Sequence, residues 1–190
     1  MPRLFTAIEL PGDVRTELRS LHSHIPGARW IEPANYHLTL RFFGDIGGSV
    51  ARELIANLAE IEFDVFELRV LSLGAFGGND PHTVWAGIQP SPQLDALARA
   101  HEKAARNAGL LQETRTYKPH ITLARLRHAR IEDVARFLSR SSGYRSAPFY
   151  VARTVLMSSK PGVGGGPYAI EDSFPLRGSG YVGEDADANW

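Results

Sequence analysis

The chain predicts an α+β fold, on three observations. Short strand-like runs are interleaved with four amphipathic segments of helix length. One apolar motif, Tyr36-His37-Leu38-Thr39-Leu40, returns as Pro119-His120-Ile121-Thr122-Leu123, each copy following a Pro-containing segment and preceding a helix. No heptad run, polyproline tract or long linker divides the 190 residues. In order, residues 4–10 form a strand closed by Pro11-Gly12-Asp13. Val14, Leu18, Leu21 and Ile25 then recur at helical spacing up to the stop at Pro26-Gly27. A short strand over 28–31 is interrupted by Glu32-Pro33-Ala34-Asn35 before a longer one over 36–43. Ser49 caps a helix whose apolar face is Val50, Leu54, Leu58 and Ile61. Residues 63–76 and 83–88 are strands separated by a Gly/Asn/Asp/Pro turn. Ser91-Pro92 opens a third helix, carrying Leu94, Leu97, Ala98, His101 and Ala105 and ending near Gly109. A strand over 120–126, a helix over 131–138, and strands over about 149–158 and 168–176 complete the pattern. Residues 1–183 are therefore read as a single domain. The acidic stretch 184–190, with Glu184, Asp185 and Asp187, is read as a flexible tail.

Composition narrows the function. Lys+Arg 21 balance Asp+Glu 21, which argues against a protein that coats a duplex through global charge but leaves local phosphate chemistry open. The absence of cysteine excludes disulfides, thiolate metal sites and cysteine nucleophiles. The opening apolar run contains Glu9 and reads as a first strand, not a signal peptide. No later run approaches the roughly 20 apolar residues of a membrane span, so a soluble cytoplasmic protein is the expectation.

The repeated His-x-Thr carries the chemistry. On a strand, His37, Thr39 and Arg41 share one face and Leu38, Leu40 and Phe42 the other. A lone copy reads as an ordinary half-polar strand. Two copies read as two similar lobes that each bring an imidazole and a hydroxyl to one cleft. Histidine titrates near neutrality, so one ring takes a proton from water while the other gives one to a leaving oxygen. A threonine two residues on reaches a nonbridging phosphoryl oxygen. In-line displacement at phosphorus needs an acid and a base on opposite sides of it.

The paired HLTL and HITL, together with RLFTAIELP, WIEPANYHLTLRFFGD, YKPHITLARL and GGPYAIEDSFPL, make the chain resemble the two-histidine phosphoesterases. Within them it is similar to the RNA 2′,3′-cyclic phosphodiesterases once called 2′-5′ RNA ligases. The resemblance runs from Arg3 to about Leu176. It implies two pseudo-twofold antiparallel sheets lining a positively charged cleft with helices outside. It also implies no metal or cofactor, and hydrolysis of an RNA 2′,3′-cyclic phosphate end to a 2′-phosphomonoester. His37 falls on the family's proton donor, His120 on its proton acceptor, and Thr39 and Thr122 on its phosphate-binding threonines. The acid and base labels come from the resemblance alone.

Further candidates come from the residues themselves. The run Arg115, Lys118, Arg125, Arg127, Arg130 contains no carboxylate between Thr114 and Ile131. Arg125 and Arg127 are candidate phosphate ligands that ideal alternation places opposite His120, unless a bulge turns them. Arg41 is a third, on the His37 face. Tyr36 and Tyr117 are candidates for stacking on a base, with Trp30 and Phe43 behind them. The glycine-rich stretch 160–166 lacks the Lys-Ser/Thr ending and following helix of a P-loop. The five other histidines, His22, His24, His82, His101 and His128, show no metal-ligand spacing. Two alternatives stand beside RNA-end hydrolysis: a small-molecule cyclic nucleotide or ADP-ribose cyclic phosphodiesterase, and a noncatalytic RNA- or nucleotide-binding protein.

Overall fold

Strand β1 (Arg3–Glu9) buries its middle residues Phe5, Thr6, Ala7 and Ile8, so both faces of this strand are covered. The computed structural model that shows this describes residues 3–159 and 166–180. The glycine-rich stretch 160–165 and the acidic tail 184–190 lie outside the described residues.

After β1 come α1 (Gly12–Ser20), β2 (Ala28–Trp30), a 3-10 turn (Pro33–Asn35), β3 (His37–Gly44), α2 (Gly48–Ala59), β4 (Phe66–Leu68) and β5 (Val70–Phe76). Then follow β6 (Thr83–Ile88), α3 (Pro92–Asn107), β7 (His120–Leu126), α4 (Ile131–Arg140), β8 (Phe149–Val151), β9 (Arg153–Ser159) and β10 (Tyr168–Pro175). The strands form two antiparallel four-stranded sheets, in the orders β10-β9-β1-β3 and β2-β7-β6-β5, and a small sheet of β4 with β8.

This order is a reciprocal exchange between two halves. Each half opens with a strand, a helix, a His-x-Thr strand and a helix, β1-α1-β3-α2 and β6-α3-β7-α4, the first half inserting the short β2 and the 3-10 turn between α1 and β3. The strand that ends the first half, β5, pairs with β6 of the second, and β9 from the second pairs with β1 of the first. Each sheet therefore needs the other half to be complete, which explains why no linker separates them.

The strand read over 63–76 divides into β4 and β5 at Arg69, and that over 149–158 divides into β8 and β9 at Ala152. The break is a change of partner: β4 and β8 pair with each other, while β5 and β9 each join a four-stranded sheet. The two break residues stay bonded in the same way, with Gln89 N–H donating to the Arg69 carbonyl (2.9 Å) and Leu176 N–H to the Ala152 carbonyl (2.9 Å).

Helix α3 begins as its sequence dictates, with Pro92 in the first turn and the Ser91 hydroxyl accepting from Leu94 N–H at 3.2 Å. It buries Leu94, Leu97, Ala98, His101, Ala104 and Ala105. Truncating Leu97, which is fully buried, is expected to cost about 2–5 kcal/mol. Two helix boundaries differ from the sequence reading. Helix α1 stops at Ser20, and Ile25 reaches the core from the following loop. Helix α2 is preceded by Gly47 in place of a Ser49 cap. No helix among the described residues is long and apolar enough to cross a membrane.

Candidate active site

His37 and His120 are each the first residue of their strand, and each is held the same way. The His37 Nδ1–H donates to the Asn35 carbonyl (2.8 Å), and the His120 Nδ1–H donates to the Lys118 carbonyl (2.7 Å). A carbonyl only accepts, so Nδ1 carries the proton in both neutral rings and Nε2 is the unprotonated nitrogen. The sequence cause is the proline that interrupts extended structure ahead of each strand: Pro33, which opens the 3-10 turn Pro33–Asn35, and Pro119.

The two motif strands come together without pairing. Strand β3 is the edge of its sheet and lies beside β7. The Tyr117 hydroxyl, just ahead of β7, donates to the Thr39 carbonyl at 3.1 Å. Thr39 and His120 line one cavity of about 560 Å³. Electrostatics report the same proximity. Burial pushes the His37 imidazole below its ordinary pKa, and the charges of His120 and Arg125 push it further down against the Asn35 hydrogen bond. His120 is lowered first by burial and then by Arg125 and Lys118, against its hydrogen bond to the Lys118 carbonyl.

Each imidazole also meets aromatic rings. Phe5 lies 5.0 Å from His37 between ring centroids and Tyr168 packs edge-on at 4.9 Å, while Phe76 packs edge-on against His120 at 4.9 Å. Beside His120, the Trp85 ring lies flat over the sheet because Gly74 and Gly87 leave it room; a Cβ at Gly74 would stand 2.2 Å from the indole. The Lys118 ammonium sits 5.2 Å from the Phe76 centroid and 5.5 Å from that of Trp85.

Two β-bulges at equivalent positions decide which further residues face the histidines. In β3 the register jumps from Ala7↔Thr39 to Thr6↔Arg41, and in β7 from Trp85↔Thr122 to Val84↔Ala124. The extra residue breaks alternation. Leu123 and Ala124 are consecutively buried and Arg125 emerges on the His120 and Thr122 face. Its guanidinium is anchored by an Nη1–H bond to the Thr83 hydroxyl oxygen at 3.0 Å.

The same shift turns Arg41 away from the face expected for it. Its cross-strand partner Thr6 faces α3, where the Thr6 hydroxyl bonds His101. Arg41 ion-pairs with Glu102 of α3 and donates to the carbonyls of Leu111 (2.8 Å) and Phe42. Its guanidinium is thus engaged in tying β3 to α3 and to the segment before β7. Phe42 takes the place expected for Arg41. It is 44% exposed and stacks on Phe5 at 6.4 Å.

The remaining candidates separate. Tyr117 lines the 560 Å³ cavity. Tyr36 is 3% exposed, because alternation points it opposite to His37 and into the core, where its hydroxyl bonds His22. It is not available for stacking on a base. Arg127 lies beyond the end of β7, where its N–H donates to the Gly27 carbonyl, about 23 Å along the strand direction from His120. His22 stacks on Trp30 and His82 bonds Thr83. His101 is buried in α3, with its pKa pushed down to about 3 by burial. Among the described residues no group of three or more His, Asp or Glu is arranged to hold a metal ion. Phe42, Phe5, Phe76, Trp85 and Tyr168 were missed by the sequence reading. Phe42 is adjacent to a motif, but only the bulge reveals its direction.

Comparison with known proteins agrees with this geometry. A protein named RNA 2′,3′-cyclic phosphodiesterase from Aeropyrum pernix is 35% identical over 111 residues, 57% of this chain and 62% of its own length. One of the same name from Archaeoglobus fulgidus is 27% identical over 146 residues, covering 74% of this chain and 82% of the relative. The crystal structure of E. coli LigT complexed with 3′-AMP superposes with a TM-score of 0.75 at 27% identity, over 93% of this chain and 99% of that one. The family model described as LigT-like phosphoesterase matches twice, over residues 8–86 and 87–168, one match for each half with its own His-x-Thr strand. With both halves matched, the chain belongs to the LigT-like phosphoesterase family.

Proposed function

We propose that this chain hydrolyses RNA 2′,3′-cyclic phosphate ends to 2′-phosphomonoesters, with His37 and His120 as an acid-base pair. The observation that carries the reading is the matched pair of imidazoles, each with Nδ1 fixed on a backbone carbonyl and Nε2 left for proton transfer. The names of the relatives and the nucleotide held by E. coli LigT support it.

In this mechanism His120, neutral because burial and nearby cations hold its pKa down, takes the proton from water as the water oxygen attacks phosphorus. The P–O3′ bond breaks on the opposite side, and protonated His37 supplies the proton to the leaving 3′ oxygen. The Thr39 and Thr122 hydroxyls bind nonbridging oxygens, and Arg125 adds a fixed positive charge held by Thr83. Water attack and departure of O3′ leave the phosphate on O2′. The substrate anion also raises the His37 pKa towards its ordinary value, so binding favours the protonated acid. Attack on the same 2′,3′-cyclic phosphate by another strand's 5′-hydroxyl in place of water forms a 2′-5′ link as the P–O3′ bond breaks, and it needs the same two proton transfers.

End-group analysis of an oligonucleotide 2′,3′-cyclic phosphate in excess chelator tests the reaction. The expected product carries a 2′-phosphate, at a rate that EDTA leaves unchanged. A 3′-phosphate product, or activity lost with chelator and restored by metal, would overturn it.

A further inference from the structure

The cavity that begins at Thr39 and His120 runs between β3, α3 and the segment 113–118. At about 560 Å³ it lies within the roughly 300–1,000 Å³ of pockets that enclose a small organic ligand. The transferring phosphate alone does not need that space. Its walls include Leu40, Ala98 and Tyr117, surfaces against which a base or sugar packs.

Its charges are unequally committed. Four cations line it. Arg41 is bound by Glu102, Arg115 by Glu113 (3.0 Å), and Lys118 sits against the rings of Phe76 and Trp85. Arg99 is exposed, and among the described residues it alone of the four has no hydrogen bond, ion pair or ring contact. It stands on the same face of α3 as Asp95 and Glu102, four residues after one and three before the other. The two glutamates are neutralised by arginines, which leaves Arg99 and Lys118 against Asp95, so the cavity wall opposite the motif strands keeps a net positive charge with Arg99 as its unpaired cation.

We propose that this cavity holds the nucleotide on the 5′ side of the terminal cyclic phosphate, and that Arg99 binds the phosphodiester joining the two nucleotides. The site then prefers an oligonucleotide end to a cyclic mononucleotide, because only the oligonucleotide carries a second phosphate one nucleoside away. This rests on the acid-base reading of His37 and His120, which fixes where the first phosphate lies. Asp95, one turn from Arg99, is a carboxylate without a hydrogen bond or ion pair among the described residues, and it opposes the same phosphate.

The test compares a 2′,3′-cyclic mononucleotide with a dinucleotide that has the same 3′ nucleoside and cyclic phosphate, measuring kcat/KM for each. It also measures, by calorimetry, the affinity of the two corresponding 2′-phosphate products, which needs no turnover. The wild type is expected to favour the dinucleotide about tenfold or more, one charge-assisted contact. Arg99→Ala removes about tenfold from that ratio, Arg99→Lys restores part of it, and Asp95→Asn increases it. The salt dependence of dinucleotide binding falls by about 0.7 in log-log slope in Arg99→Ala, as expected for one lost phosphate contact to a single strand. Equal use of the two substrates by the wild type, or a ratio unmoved by Arg99→Ala, would overturn the inference. Product affinities that follow Arg99 without hydrolysis of either substrate would support the cavity and reject the acid-base reading. Hydrolysis through His37 and His120 with no dinucleotide gain would do the reverse.

Discussion

Strands β3 and β7 carry the same imidazole, the same hydroxyl two residues on and the same bulge after it, yet the bulge delivers Phe42 to the cleft in one and Arg125 in the other. The shared part is scaffold: a strand start that fixes Nδ1 on a carbonyl and presents Nε2. The unshared part sets the field. Arg125 lowers the pKa of both imidazoles, whereas Phe42 stacks on the Phe5 ring that packs against His37 and adds no charge. A duplicated fold therefore supplies a matched pair of imidazoles, and the residue delivered by the bulge differs between the halves, an aromatic ring in one and a cation in the other.

Breaking the shared part has the largest expected effect. His37→Ala and His120→Ala are each expected to lower kcat by about 10²-fold or more, since general acid-base transfer contributes about 10²- to 10⁴-fold. Steady-state turnover of an RNA cyclic phosphate measures this. Affinity for the 2′-phosphate product is expected to change much less.

Breaking the unshared part separates the two halves. Arg125→Ala is expected to reduce kcat/KM by about 10²-fold, the loss of one preorganised donor to the phosphoryl oxygens. It also raises both histidine pKa values, because the nearby cation that disfavours their protonated forms is gone. Both limbs of the pH profile then move to higher pH. Phe42→Ala is expected to have a smaller effect and to leave the limbs in place. A shift in Phe42→Ala as large as that in Arg125→Ala would show that the Arg125 charge does not set the two histidine pKa values.

The wild-type profile carries its own prediction. For the free enzyme, kcat/KM requires His120 deprotonated and His37 protonated, and both pKa values lie below the ordinary 6.5. The rising limb, set by His120, and the falling limb, set by His37, are both expected below about pH 6.5, giving a mildly acidic optimum. The profile of kcat is expected to extend to higher pH, because the bound anion raises the pKa of the acid. A kcat/KM profile flat from pH 6 to 9 would contradict this assignment.

The smallest expected effect is on stability, at a histidine outside the cleft. His101 is buried with its pKa at about 3, below its unfolded value near 6.5, so the unfolded chain binds more protons between those pH values. The contribution of the neutral ring is complete above about pH 6.5 and is lost as pH falls towards 3. His101→Gln, which can still bond the Thr6 hydroxyl, is expected to flatten the dependence of urea midpoint on pH in that window. An unchanged pH dependence would show that other groups control acid unfolding.

The α+β class, most elements and the pairing of His37-Leu38-Thr39 with His120-Ile121-Thr122 were legible because they rest on local periodicity and on a motif that repeats. Facing direction beyond the motifs was not. The period-2 rule put Arg41 beside His37 and Arg125 opposite His120, and one bulge in each strand reversed both. A bulge is set by how two distant strands register, and neither β3 nor β7 carries a glycine or proline inside the motif region to announce it. Tyr36, a candidate for stacking by its nearness to His37, follows plain alternation instead: its position opposite to His37 points it into the core. The splits at Arg69 and Ala152 were invisible because a change of partner leaves no mark on the apolar pattern of a strand.

The most direct test of the central claim is a double-mutant cycle. The kcat for hydrolysis of an RNA 2′,3′-cyclic phosphate is measured for the wild type, His37→Ala, His120→Ala and the double variant, all in excess chelator. If the two imidazoles act as one acid-base unit, each single variant loses about 10²-fold or more and the double variant is little worse than the poorer single one. Near-wild-type turnover in either single variant, or a double variant that loses the full product of two independent effects, would contradict it.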